Sequence, residues 1–238
     1  MTKLLYLENW SLFTGEAKVI EVTTYKEKLA IVLDQTIFYP QGGGQPWDAG
    51  TITVLNAGGV GYDPAGSFAV TEVRFDPETG NVYHIGTMTG EIKPGETVSC
   101  NVNKERRDLN SRLHSGGHII DMAVRQLGLD WKPGKGYHFP EGPYIEYAGV
   151  LDESAKENLR TEIERISNEI INQKISVTIK FIADQLVNGK PARVVMYGEH
   201  SVPCGGTHVN NLSEVGTVTI RKIKQEKGAI RVGYDVSR

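Results

Sequence analysis

Four residues set the question: His114 and His118 in "LHSGGHIID", and Cys204 and His208 in "VPCGGTHVNN". Histidines four apart on a helix stack on one face, so the first pair can offer two imidazoles to one ion. A zinc protease would place a glutamate directly after the first histidine. Here Ser115 and two glycines follow His114, and none of them is a general base, so protease chemistry is disfavoured. In the second motif Pro203, Gly205 and Gly206 argue against a helix and for a tight loop whose two glycines let both side chains turn inward. Three histidines and one cysteine form a set suited to tetrahedral zinc. Two other readings stay open: Cys204 as a nucleophile with His208 or His114 as its base, and Cys204 as a small residue in an inert turn. The nucleophile reading leaves the other histidines without a task.

Three further stretches carry unusual chemistry. "FYPQGGGQPWDAG", residues 38–50, contains Gly42, Gly43, Gly44 and Gln45; a triple glycine in a β region serves a sharp bend or the close approach of backbone to a ligand. "WKPGKGYHFPEGPYIEYAG", residues 131–149, reads as a loop with Lys132, Lys135 and His138, suited to stacking on a nucleotide or to packing. Cys100 in "TVSCNVN" reads as a buried strand residue.

The elements that must position these groups change character along the chain. "EAKVIEVTTY", "KLAIVLD", "TITVL", "AVTEVRFD", "NVYHIGT" and "TVSCNV" are short strands separated by turn residues, which predicts a small β-barrel over residues 1–98. From residue 103 the apolar spacing of Leu109, Leu113, Ile120 and Val124 predicts a helix stopped by Gly128. A second helix follows in "LDESAKENLRTEIERISNEIINQ", with Ala155, Leu159, Ile163, Ile166 and Ile170 on one stripe and Ser154/Glu157 as a capping box. Strands return at "ISVTIKFIA", "ARVVMYG", "TVTIRKIK" and "AIRVGYDV", the last two joined through "QEKG" as a hairpin. The fold class expected is α+β: an N-terminal barrel carrying the glycine-rich motif, then a two-layer α/β domain over 99–238 with a mainly antiparallel sheet. The boundary is expected near residues 97–103.

Composition sets the limits. With 238 residues, 39% hydrophobic and 23% charged, the chain can bury a core without staples, and its two cysteines do not form a disulfide framework. The apolar runs are too short to span a bilayer, and Glu8 with no small-residue cleavage pattern argues against a signal peptide, so a cytoplasmic location is expected. The net charge of −3 is uneven: residues 1–98 hold six Lys/Arg against twelve Asp/Glu. The segment 215–238 reverses this, with Arg221, Lys222, Lys224, Lys227, Arg231 and Arg238 against two acids. Local basic stripes fit phosphate contacts or a solvated hairpin.

Taken together, "LHSGGHIID", "VPCGGTHVNN" and "FYPQGGGQPWDAG" resemble the editing region of alanyl-tRNA synthetase, and the chain is similar over roughly residues 10–236 to the free-standing AlaX family of alanyl-tRNA editing proteins, in its medium-length form. The resemblance implies an aminoacyl-tRNA deacylase that acts in trans on tRNA(Ala) mischarged with serine chiefly, and with glycine as an open second substrate. It implies Zn2+ as cofactor, held by His114, His118, Cys204 and His208, with Gly42, Gly43, Gly44 and Gln45 beside the editing pocket. Lys135 and His138 are further candidates for substrate contact. Lys104, Arg106, Arg107 and Arg112, with Arg221, Lys222 and Lys224, are the basic residues expected to meet tRNA. No carboxylate adjoins the histidines as a base for water, and a labile ester is expected to need only positioning. Two alternatives remain: a zinc-organised tRNA-binding module without catalysis, and editing of a different aminoacyl-tRNA. The oligomeric state is open between monomer and homodimer.

Overall fold

The structure is a computed structural model that describes residues 1–55 and 66–237; Arg238, counted above in the basic C-terminal segment, lies outside the described residues. Two compact units divide the chain, and neither is one run of sequence. The first comprises Met1–Gly42, Pro46–Arg107 and Phe181–Ala192; the second comprises Gly43–Gln45, Asp108–Lys180 and Arg193 onward.

In the first unit six antiparallel strands close into a barrel: β1 (Thr14–Tyr25), β2 (Lys28–Leu33), β3 (Gly50–Val54), β4 (Gly66–Phe75), β5 (Val82–Gly90) and β6 (Thr97–Val102), in the order β1-β2-β5-β4-β3-β6. These are the six predicted strands, with ends moved by a few residues. A four-residue helix, Leu5–Glu8, and a short parallel pair, Lys3–Leu4 with Gln35–Thr36, sit beside them. Closure removes the unpaired edges that an open sheet of this size would present. The interior holds Val19, Ile31, Leu33, Ile52, Phe68, Val70 and Val98, and Cys100 lies there as the buried hydrophobe expected of it.

The helix α1 (Lys104–Gln126) starts on Asn103, whose side-chain oxygen accepts from the Arg106 N–H at 2.9 Å. In the second unit β7 (Lys132–Tyr137) and β8 (Tyr144–Ala148) form where the sequence reads as a loop. Glycine and proline hide the strand signal there. With β12 (Thr217–Glu226) and β13 (Ala229–Ser237) they make an antiparallel sheet in the order β12-β13-β8-β7. The predicted hairpin is present and tighter than "QEKG": Glu226 pairs with Ala229 across Lys227 and Gly228, at φ 52° and 81°, the two-positive-φ turn that matches strand twist.

The second helix, α2 (Lys156–Asn172), buries Ile163, Ile166, Ile170 and Ile171 as the stripe requires. Its start differs from expectation. Ala155 occupies the cap position with no side-chain bond to the helix, and the Ser154 hydroxyl donates instead to Asp152 at 2.6 Å. A nearby carboxylate wins over the backbone amide, so no capping box forms. The helix covers the β12 edge: Asn168 bonds both the N–H and the C=O of Val218, at 2.9 and 2.8 Å, and Glu164 accepts from the Ile220 N–H at 2.7 Å. A third sheet holds β9 (Val177–Val187), β10 (Lys190–Tyr197) and β11 (His200–Pro203) in that order.

Candidate metal centre

Between Asn110 and Gly117 every residue of α1 is buried. A helix enclosed on all sides over this stretch carries its polar groups inside, where each needs a partner. Ser111, His114, Ser115 and His118 lie on one stripe of it, at spacings of three and four. The loop after β11 supplies the rest. Arg193, 4% exposed, holds that loop: its Nε donates to the Cys204 carbonyl at 2.9 Å and its Nη2 to the Gly206 carbonyl, while the Cys204 N–H returns a bond to the Arg193 carbonyl at 3.0 Å. Arg193 carries no signal of its own in the sequence.

One ligand atom from each of His114, His118, Cys204 and His208 lies within 4.8 Å of the others. The His114 ring stacks between His118 and His138, with centroids 5.0 and 4.6 Å away, and His208 is also at 4.6 Å. Cys204 Sγ is 3.4 Å from His114 Nε2. Burial holds His114 and His208 well below the usual histidine range, with neighbouring histidines adding to the effect. The same cause brings His118 to about 3 and His138 to about 4. Neutral imidazoles are the form that binds metal. Burial also pushes the Cys204 thiol up, against the pull of the Gly206 N–H and the Arg193 charge. An activated nucleophile needs a lowered thiol, so these surroundings argue against the nucleophile reading.

The residues fit a zinc ion on two counts. The set of one sulfur and three imidazole nitrogens has the softness and number that tetrahedral zinc takes. Both ring nitrogens of His118, moreover, are buried with no hydrogen-bond partner among the described residues; Asp121, at 4.0 Å from its Nδ1, is too far. A bound cation would answer that deficit.

Around the four donors stand groups that fix them. Gln45, fully buried, contacts His114 and Thr207: Oε1 lies 2.7 Å from His114 Nδ1 and 2.9 Å from the Thr207 N–H, and Nε2 donates to Thr207 Oγ1 at 2.8 Å. Ser111 Oγ meets Thr207 Oγ1 at 2.7 Å. The Tyr197 hydroxyl is 2.9 Å from His208 Nδ1. His138 Nδ1 is 2.7 Å from the Tyr234 hydroxyl, which donates to the Leu113 carbonyl at 2.8 Å. Asp121, pushed up to about 6 by burial, accepts from Tyr147 at 2.6 Å. Ser111, Thr207, Tyr197 and Tyr234 carry no signal of their own in the sequence; only the helical spacing of Ser111 with His114 points to it.

The glycines sort into different tasks. Gly43 and Gly44 have φ of 54° and 76°, and a Cβ on Gly44 would lie 2.1 Å from the Gly136 carbonyl oxygen. That segment therefore makes both the sharp bend and the close backbone approach. Gly42 accepts from the Tyr39 hydroxyl at 2.8 Å within the barrel unit. In the cysteine loop only Gly206 is required by space, since a Cβ there would meet His114 Cε1 at 2.1 Å. Gly205 has no atom within 4 Å of such a position, and neither glycine has a positive φ, so the loop uses the space at Gly206 and not the expected backbone freedom of both.

Of the remaining candidates, His138 joins the cluster and is 5% exposed, whereas Lys135 is exposed on β7. Two of the basic residues expected at a tRNA surface are corrected by their burial. Arg107 is 1% exposed, paired with Asp48 and bonded to the carbonyls of Trp10 at 2.6 Å and Ile37 at 2.7 Å. Arg112, 8% exposed, donates to the Val215 carbonyl at 2.9 Å. Both guanidinium groups hold the fold. Lys104 is exposed over the Phe13 ring, and Arg106 donates to the Trp47 carbonyl at 2.9 Å. Arg221, Lys222, Lys224 and Arg231 line a pocket with Tyr144. Arg231 sits 4.7 Å over the Tyr144 ring, and Tyr144, Tyr137 and Phe139 follow as a stack at 5.2 and 4.6 Å.

Residues 8–106 match the family model for class II (A) tRNA synthetases, and residues 192–232 match that for the threonyl and alanyl tRNA synthetase second additional domain. Alanyl-tRNA editing protein AlaX-M of Pyrococcus horikoshii is 31% identical over 94% of this chain and 92% of its own length. AlaX-L of the same organism is 31% identical over 98% of this chain, which spans 58% of that relative. The alanine–tRNA ligase of Methanococcus vannielii is 31% identical over 98% of this chain, which spans 26% of the ligase. With AlaX-M matched almost end to end and a largely buried cluster of one cysteine and three histidines, the chain belongs to the alanyl-tRNA editing protein family.

Proposed function

We propose that this protein is a zinc-dependent aminoacyl-tRNA deacylase that acts in trans on mischarged tRNA(Ala), removing serine chiefly and glycine as well. The observation that supports this most is the gathering of His114, His118, Cys204 and His208 donor atoms within 4.8 Å, in a chain of the editing family. The second unit is then the editing domain and the barrel its N-terminal companion, working in the cytoplasm; among the described residues no helix is long and apolar enough to cross a membrane.

The chemistry asked of the site is modest. Water's oxygen bonds to the ester carbonyl carbon, the bond to the ribose oxygen breaks, and a proton passes to that oxygen. His114, His118, Cys204 and His208 would hold the zinc, which would supply Lewis-acid polarisation once one of the four gave up its place or the coordination expanded. His138 supplies an acceptor: the Leu113 carbonyl can only accept, so the Tyr234 hydroxyl donates to it and receives the His138 Nδ1–H. This leaves a lone pair on His138 Nε2 to orient a water or the substrate amino group. Arg193 keeps Cys204 and His208 at the helix by holding two loop carbonyls. A synthetic site for alanine cannot strongly reject a substrate that only adds a hydroxyl, and a second, hydrolytic site raises accuracy. Buried polar groups that lose their partner when alanine replaces serine then give the selectivity.

For tRNA contact we favour the pocket of Arg221, Lys222, Lys224 and Arg231 for phosphates, and the Tyr144–Tyr137–Phe139 stack for unpaired bases. Lys104 and Arg106 remain as basic candidates on the barrel unit.

The test is to incubate the purified protein with tRNA(Ala) charged with serine, glycine or alanine and follow each ester. Loss of the serine and glycine esters with alanine spared is expected; no loss above background refutes the proposal. Lys222→Glu with Tyr144→Ala is expected to weaken tRNA binding and lower the salt slope by about 1, while zinc content stays unchanged.

A further inference from the structure

Gln45 reaches the metal cluster with its amide, and the orientation of that amide follows from chemistry alone. The Thr207 backbone N–H can only donate, so the Gln45 atom 2.9 Å from it is the carbonyl oxygen. The same oxygen lies 2.7 Å from His114 Nδ1. An oxygen of this kind only accepts, so His114 Nδ1 carries a proton. In the neutral imidazole that metal binding requires, the other nitrogen is then bare. That bare atom, Nε2, is the one 3.4 Å from Cys204 Sγ.

We propose that Gln45 is a positioning residue for the metal centre: it selects the Nδ1–H tautomer of His114 and so presents Nε2 to zinc before the metal arrives. This rests on the zinc reading given above. Three features make the arrangement rigid. Gln45 is fully buried. Its amide nitrogen is tied to Thr207 Oγ1 at 2.8 Å, and Thr207 to Ser111 on the ligand-bearing helix at 2.7 Å. Gly206 leaves no Cβ where one would press on His114 Cε1 at 2.1 Å and on Gln45 Oε1 at 2.9 Å. The bend at Gly43 and Gly44 thus serves to place one acceptor oxygen behind one ligand. Removing a group that orients a metal-bound histidine costs about 10- to 100-fold in metal affinity.

The experiment compares wild type with Gln45→Met, which keeps volume but no acceptor, and Gln45→Glu, which keeps the acceptor. Zinc affinity is measured by competition with a chromophoric chelator, and the histidine tautomers of metal-free protein by long-range 15N–1H NMR. Expected results are one zinc per wild-type chain, His114 protonated at Nδ1 without metal, affinity lowered about 10- to 100-fold in Gln45→Met, and Gln45→Glu within a few-fold of wild type. Wild-type affinity in folded Gln45→Met, or an Nε2–H tautomer in the metal-free wild type, overturns the inference. The NMR result stands even if Gln45→Met fails to fold. A wild-type chain that binds no zinc would instead refute the underlying reading, which separates the two failures.

Discussion

In the barrel unit the guanidinium of Arg107 meets the carboxylate of Asp48 and two backbone carbonyls, and Asp48 also accepts from the Tyr39 N–H at 2.6 Å. In the second unit the two ring nitrogens of His118 are also out of water and make no hydrogen bond among the described residues. Both are polar clusters taken out of water, yet one closes on itself and the other does not. A cluster whose donors and acceptors match is part of the scaffold, and removing one member leaves a buried charge. A cluster in which buried ring nitrogens lack a partner has room for something from outside. Burial of the polar atoms alone would rank the two alike; counting partners separates them.

The largest expected effect comes from breaking the closed cluster. Arg107→Met should lower stability by about 3–5 kcal/mol in urea unfolding, because Asp48 is left buried and unpaired. Arg107→Met with Asp48→Leu should recover most of it; a double variant as unstable as the single one would remove the pairing argument.

A smaller effect follows from His84, buried in the barrel between the Thr36 hydroxyl at 2.7 Å and the Ile31 carbonyl at 3.0 Å. Burial lowers it to about 4. The unfolded chain protonates this histidine near pH 6.5 and the folded barrel only near 4, so the unfolded state binds the proton first. Stability is therefore complete above pH 6.5 and falls as the pH drops towards 4, by roughly 3 kcal/mol at 1.36 kcal/mol per unit. His84→Gln, which can donate and accept without titrating, should flatten the slope in urea titrations across that window.

The smallest is a pair of glycine substitutions in the cysteine loop. Gly206→Ala should cost about 1–3 kcal/mol and reduce zinc content, since its Cβ would displace His114. Gly205→Ala should change unfolding by less than about 0.5 kcal/mol. Equal effects of the two would mean that the loop is held by backbone freedom and not by the space Gly206 leaves.

Much of this was legible in the residues. The barrel strands announced themselves through alternation broken by Gly, Asn and Asp, and the four donors through the spacing of His114 with His118 and of Cys204 with His208. The strands β7 and β8 did not, because Gly134, Gly136 and Pro133 erase strand propensity; Gly136 sits where the Gly44 backbone comes within contact. The fate of Arg107 and Arg112 was hidden for another reason. Sequence shows that a residue is charged but not whether a carboxylate or a carbonyl from far along the chain awaits it, and Val215 lies more than a hundred positions after Arg112. Asp152, by contrast only two residues away, took the Ser154 hydroxyl from the helix start it was expected to cap.

Trp131 lies 8% exposed with its ring 5.7 Å from Tyr147, whose hydroxyl donates to Asp121 at 2.6 Å. Trp10 and Trp47 belong to the barrel unit, so Trp131 is the second unit's own tryptophan. In optical terms the molecule carries a separate chromophore beside the helix of His114 and His118. With Trp10 and Trp47 replaced by phenylalanine, the emission of Trp131 would follow the opening of that unit without a label.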